Sequence, residues 1–121
     1  MSVNAEVFVG FSVDLDYRNH YDDVDEFCDK HPEYDRYSPS YKNTVRFIVD
    51  GMCGDYIRLM YIVNYIDIEY ADGYSHYDTL DVDVDLYSQG IYDKLNEPYK
   101  EIFKKDLNID DIKFITFVHY S

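Results

Sequence analysis

Residues 5 to 16 alternate without a break, with Val7, Val9, Phe11, Val13 and Leu15 on one face of an extended chain and Phe8, Gly10, Ser12, Asp14 and Asp16 on the other. A run of that length with a period of two is a strand with one committed apolar face, so the chain must build a sheet and cover that face. The next segment supplies a cover. Val24, Phe27, Cys28 and His31 share one side of a short helix of about two and a half turns. Asp22 is its expected cap, Asp23, Asp25 and Glu26 suit its positive end, and Pro32 stops it. Residues 32–42, with Pro32, Pro39, Ser38 and Ser40, read as a long ordered loop.

Residues 43–50 predict a second strand, and the turn from Gly51 to Asp55 leads into a third that extends over 56–70. The apolar phase of that third strand shifts near Asn64, which is how an extra residue in a bulge moves a strand's side chains to the other face. Asp72 and Gly73 then make a hairpin turn into a fourth strand over 74–86. A second helical segment covers 88–107 with Ile91, Leu95, Ile102 and Phe103 inward, and Pro98 marks a kink or a restart after Asn96. Residues 113–120 are a final strand. The order βαβββαβ resembles the ferredoxin-like plan: a single α+β domain over 1–121, with a mostly antiparallel five-stranded sheet and two helices packed on one face. The resemblance implies that the opposite sheet face is partly open. At 121 residues and 46% apolar content the chain can bury a core without staples.

Charge is the second constraint. Between Arg58 and Lys94 lie 35 residues with no lysine or arginine and eight carboxylates. The most regular part is Asp81, Asp83 and Asp85, interleaved with Val82 and Val84. On a strand these three carboxylates share a face at spacings of about 6.6 to 6.8 Å and repel by roughly 0.6 kcal/mol in water. Aspartate is also depleted in sheets. Stability alone does not select such a pattern, so it reads as a surface meant for something outside the fold. A second acidic cluster, Asp22, Asp23, Asp25, Glu26, Asp29, Glu33 and Asp35, surrounds the first helix and is opposed there only by Lys30.

The residues of catalysis make a weak showing. Counted from Asp81 as position 1, the EF-hand pattern has Leu86 where glycine is needed and Tyr92 where glutamate is needed. Asp14 and Asp16, ending the first strand, resemble the carboxylate pair that holds divalent metal in polymerase and cyclase palms and the single aspartate of Cas2-type nucleases. That resemblance implies a metal-dependent nucleotide or phosphodiester enzyme, for which Arg18 is the only nearby base. Zinc could draw on Cys28, His31, Cys53 and His76, without a Cys-x-x-Cys doublet. The single glycines exclude the Walker A and dinucleotide fingerprints. No cofactor is expected.

The net charge of −14 opposes direct binding to nucleic acid or to anionic membranes and favours basic partners. Fifteen tyrosines add contact area, hydrogen bonds and stacking for arginine. The expected contact residues are Asp78, Asp81, Asp83 and Asp85 with Tyr74, Tyr77 and Tyr87, joined by Asp22, Asp23, Asp25, Glu26 and Asp29 of the first helix. Spaced carboxylates of this kind resemble the phosphates of a nucleic-acid strand. In size and charge the chain is similar to DNA-mimicking anti-restriction and anti-CRISPR proteins, and an immunity protein against a basic nuclease would have the same physics. The resemblance implies a non-enzymatic inhibitor of a basic nucleic-acid-binding protein. A homodimer stays open as an arrangement, as does a purely structural or oligomerisation role. Two cysteines make no disulfide framework, no leader pattern is present, and no apolar run reaches the roughly 18 to 20 residues of a membrane span, so a reducing cytoplasm (the host's, for a viral protein) is the expected compartment.

Overall fold

The computed structural model describes residues 5–35, 43–51, 53–67 and 89–120. Within them the chain is α+β: strands β1 (Ala5–Leu15), β2 (Thr44–Val49), β3 (Ile57–Asp67) and β4 (Lys113–Tyr120), with helices α1 (Tyr17–Lys30) and α2 (Gln89–Phe103). The strands form one antiparallel four-stranded sheet in the order β2-β3-β1-β4. The fourth strand expected over 74–86 lies outside the described residues. The helix layer covers one face: Phe11 and Val13 of β1, Phe47 of β2 and Ile57 and Leu59 of β3 pack with Val24 and Phe27 of α1 and Leu95 of α2. On the apolar face of β1, Val9, Phe11 and Val13 are buried and Val7 and Leu15 are half-buried.

Two helix boundaries differ from the sequence reading. α1 begins at Tyr17, because Asp16 caps it: its carboxylate accepts from the Arg18 amide at 3.0 Å and from Asn19 Nδ2 at 2.6 Å. Asp22 is therefore not the cap but a mid-helix residue, and α1 runs 14 residues instead of two and a half turns. α2 ends at Phe103, short of the expected 107, and continues through Pro98 as a single helix with no restart after Asn96. Pro98 is fully buried, so its ring fills space in the core that offsets the backbone hydrogen bond it cannot make. Beyond α2, Asn96 ties down the return to β4: its Oδ1 accepts from the Leu107 amide at 2.7 Å, and Tyr92 donates to the Leu107 carbonyl at 2.6 Å.

The bulge expected near Asn64 is present. Val9 pairs with Asn64 but Gly10 pairs with Ile62, leaving Val63 as the extra residue. At the same point a Cβ on Gly10 would lie 2.0 Å from the Tyr61 carbonyl oxygen, a separation no side-chain carbon tolerates, so only glycine lets β1 and β3 approach there.

The consequence is a sheet curled across its diagonal. His119 pairs with Glu6, and Ile57 pairs with Leu15, nine residues farther along β1. That separation is about 30 Å on a flat strand. Yet the Tyr56 hydroxyl, one residue beyond Ile57, lies 2.5 Å from His119 Nδ1. The Arg58 guanidinium sits 4.9 Å from the centre of the Phe117 ring, although Arg58 pairs beside Asp14 and Phe117 beside Phe8. Only a concave face brings such residues together. This corrects the expectation of an open face opposite the helices: Phe8, Ile48, Met60 and Ile62 there are all 0% exposed, with Ser12 and His119 buried beside them.

Candidate functional site: an acidic helix face with embedded tyrosines

α1 divides by the period of its own sequence. Val24 and Phe27 face the core, while Asp22, Asp23, Asp25, Glu26 and Asp29 are all exposed. Lys30 pairs with Glu26 at 3.2 Å, and both partners are largely exposed, which makes the pair weak. Asp22, Asp23, Asp25 and Asp29 make no ion pair with any described residue. Tyr21 stands among them, its ring tilted by 33° against that of Tyr17 with ring centres 5.0 Å apart. Its hydroxyl is held above the ordinary tyrosine value, first by the Asp25 carboxylate, then by Tyr17 and slight burial, then by Asp22 and Asp29. Several like charges therefore act on one ring at the surface.

The negative surface continues past the end of α1. His31 closes the helix, its backbone amide donating to the Phe27 carbonyl, and its ring lies 3.3 Å from Glu101 of α2 and 3.7 Å from Glu33. Tyr34 follows in the 3₁₀ turn Pro32–Tyr34. Burial pushes its hydroxyl up, and Glu97, Glu33 and Glu101 push it further. Glu97 and Glu101 were missed by sequence reasoning. Their signal was an i, i+4 pair of acids on α2, which only the packing of α2 beside α1 turns into part of the same surface. A cavity of about 290 Å³ beside Tyr34 carries both signs, Arg46 and Lys94 against Glu33 and Glu97. Arg46 is engaged there by the Asp35 carbonyl at 3.0 Å and Thr44 Oγ1 at 3.1 Å.

The other residues singled out from the sequence fall elsewhere. Asp78, Asp81, Asp83, Asp85, Tyr74, Tyr77 and Tyr87 lie outside the described residues. Asp14 is ion-paired to Arg58 across β1 and β3, and Asp16 is the α1 cap, so each of the two has a structural partner. Cys28 is half-buried on α1, and burial, reinforced by Asp35, Asp25 and Asp29, pushes its thiol up to about 12. At neutral pH it is a protonated thiol, a poor nucleophile. Asp50, Cys53 and Asp55 bring ligand atoms within 4.8 Å of one another. Each Asp50 oxygen accepts one backbone amide, Cys53 at 3.2 Å and Asp55 at 3.1 Å, which closes the β2–β3 turn. Among the described residues no helix is long and apolar enough to cross a membrane.

Fold and surface together define an acidic α+β domain with tyrosines set into a helical carboxylate field. No protein-family model, curated protein or solved structure matches the chain.

Proposed function

We propose that the protein is a non-enzymatic binding protein that occupies the basic channel of a nucleic-acid-binding partner, such as a defence nuclease or a restriction or CRISPR effector, by presenting carboxylates where phosphates would lie. The observation that carries this reading is the placement of the α1 acids against the helix's own interest. Asp22 and Glu26, and Asp25 and Asp29, are like-charge i, i+4 pairs, and the acids avoid the first turn, where the macrodipole would favour them. Carboxylates kept where they cost stability are best explained by a ligand that reads them. Tyr21 within the field supplies a flat face and a hydroxyl for arginine.

The mechanism is electrostatic steering followed by docking of aspartate and tyrosine against lysine and arginine, giving fast association that weakens with salt. The same reading assigns no cofactor and no reaction to the chain. The order β2-β3-β1-β4 with both helices on one face supports a ferredoxin-like reading of the fold.

The test is affinity capture from host lysate at low and then raised salt, with duplex DNA as competitor and the Asp22→Asn, Asp25→Asn, Asp29→Asn triple variant as control. The expected result is a nucleic-acid-binding protein released by salt and by DNA and lost with the triple variant. Capture that is indifferent to both DNA and the three substitutions would overturn the reading for this helix face.

A further inference from the structure

We infer that β4 is a self-association edge, and that two copies of this chain join β4 to β4 in antiparallel fashion about a two-fold axis at Thr116. Independently of the proposed function, three observations lead there. First, β4 is an outer strand of the sheet, and among the described residues nothing pairs with its free side. The opposite outer strand is protected: β2 carries a bridge from Asp35 to Phe47 and holds Arg46. β4 has none of the usual guards, with no proline, no bulge in its register with β1, and a single lysine at its start.

Second, β4 leaves large apolar side chains uncovered. Phe114 and Val118, which share the face of β4 that adjoins Phe11 and Val7 of β1, are 37% and 41% exposed. Third, the charge pattern selects the partner. In a chain with 25 carboxylates and a net charge of −14, residues 112–121 contain no Asp or Glu. Two such chains repel over most of their surfaces, and an acid-free edge is where they can meet. The strand is also complementary to itself. With Thr116 facing Thr116, Phe114 of one copy faces Val118 of the other, Ile115 faces Phe117, and Lys113 faces His119, so no carboxylate enters the paired rows. The joined sheets would carry both helix layers on the same side and display two α1 faces together.

Sedimentation analysis over a concentration series, at low and raised salt, tests this with the full chain. The wild type is expected to dimerise, and more strongly as salt screens the −14 charges; binding to a basic partner has the opposite salt dependence, so the two readings fail separately. Thr116 is exposed, so Thr116→Lys and Thr116→Glu leave the monomer folded while placing like charges at the axis. Each variant alone is expected to lose about tenfold or more in self-association, and an equimolar mixture of the two to recover it. A wild type that stays monomeric, or variants that self-associate as strongly as wild type, or a mixture no stronger than its parts, would overturn the inference.

Discussion

Neutralising acids on α1 should make the protein more stable, and the size of the gain follows from helix geometry. In the Asp25→Asn, Asp29→Asn variant three like-charge contacts disappear: Asp22 with Asp25, Asp25 with Asp29, and Glu26 with Asp29. At about 0.2 to 0.5 kcal/mol each these sum to roughly 0.6 to 1.5 kcal/mol. Asp29 is the second-last residue of α1, where the macrodipole disfavours an anion by about 0.3 to 1 kcal/mol. Asparagine and aspartate have similar helix propensities, so that term cancels. Exposure and salt reduce the total, which leaves a net gain of about 1 kcal/mol at low ionic strength, or roughly 3 to 5 °C in Tm for a domain of this size. Thermal unfolding of wild type and variant at low and high salt measures it, and the gain should shrink as salt rises. A second readout is Tyr21. Its folded value is raised, so it stabilises the fold below the unfolded value near 10 and withdraws that contribution as pH climbs through the folded value. Because Asp25 is the largest cause, the variant should lose less stability above pH 10 than wild type. An unchanged or lower Tm at low salt, or a gain indifferent to salt, would refute the idea that these acids are held at a cost.

Gly10→Ala should cost about 3 kcal/mol or more in chemical denaturation, because its Cβ would meet the Tyr61 carbonyl at 2.0 Å, whereas Gly51→Ala, with nothing within 4 Å, should stay within about 0.5 kcal/mol. Thiol labelling of the native protein should modify exposed Cys53 promptly and leave Cys28, whose thiol is pushed up to about 12, untouched until the protein is unfolded. Two rapidly labelled thiols per native chain would contradict the packing of Cys28 against the core.

What the sequence discloses of this molecule is what local chemistry decides. The alternation of β1 and the phase shift near Asn64 are legible because period and bulge are properties of consecutive residues. The acids of α1 are legible for the same reason, although their placement on the helix was not: Asp16 reads as the last residue of a strand and turns out to be the cap that moves the helix start forward. Pro98 reads as a kink or a restart, yet α2 runs through it as one helix with the ring buried. Glu97 and Glu101 belong to the acidic surface only because α2 packs beside α1, a fact with no local signature.

The curl of the sheet is the plainest case of an illegible feature, because Tyr56 and His119 are 63 residues apart in sequence and meet through a bend that neither encodes. The missing side chain of Gly10 lets β1 and β3 approach at the bulge, and a lone glycine in a strand pattern signals equally a weak strand, a bulge or a close approach. A flat sheet would have left the face opposite the helices available as a binding platform for Asp14 and its neighbours. The curled sheet buries Phe8, Met60 and His119 there and keeps Arg58 beside Tyr56 and Phe117, paired with Asp14. With Phe8, Met60 and His119 buried on that face, the exposed acids of α1 and the outer edge of β4, unpaired among the described residues, are the surfaces on which the proposed binding and self-association are to be tested. The two proposals predict opposite responses, weaker binding to a basic partner and stronger self-association as salt rises, so a salt titration separates them.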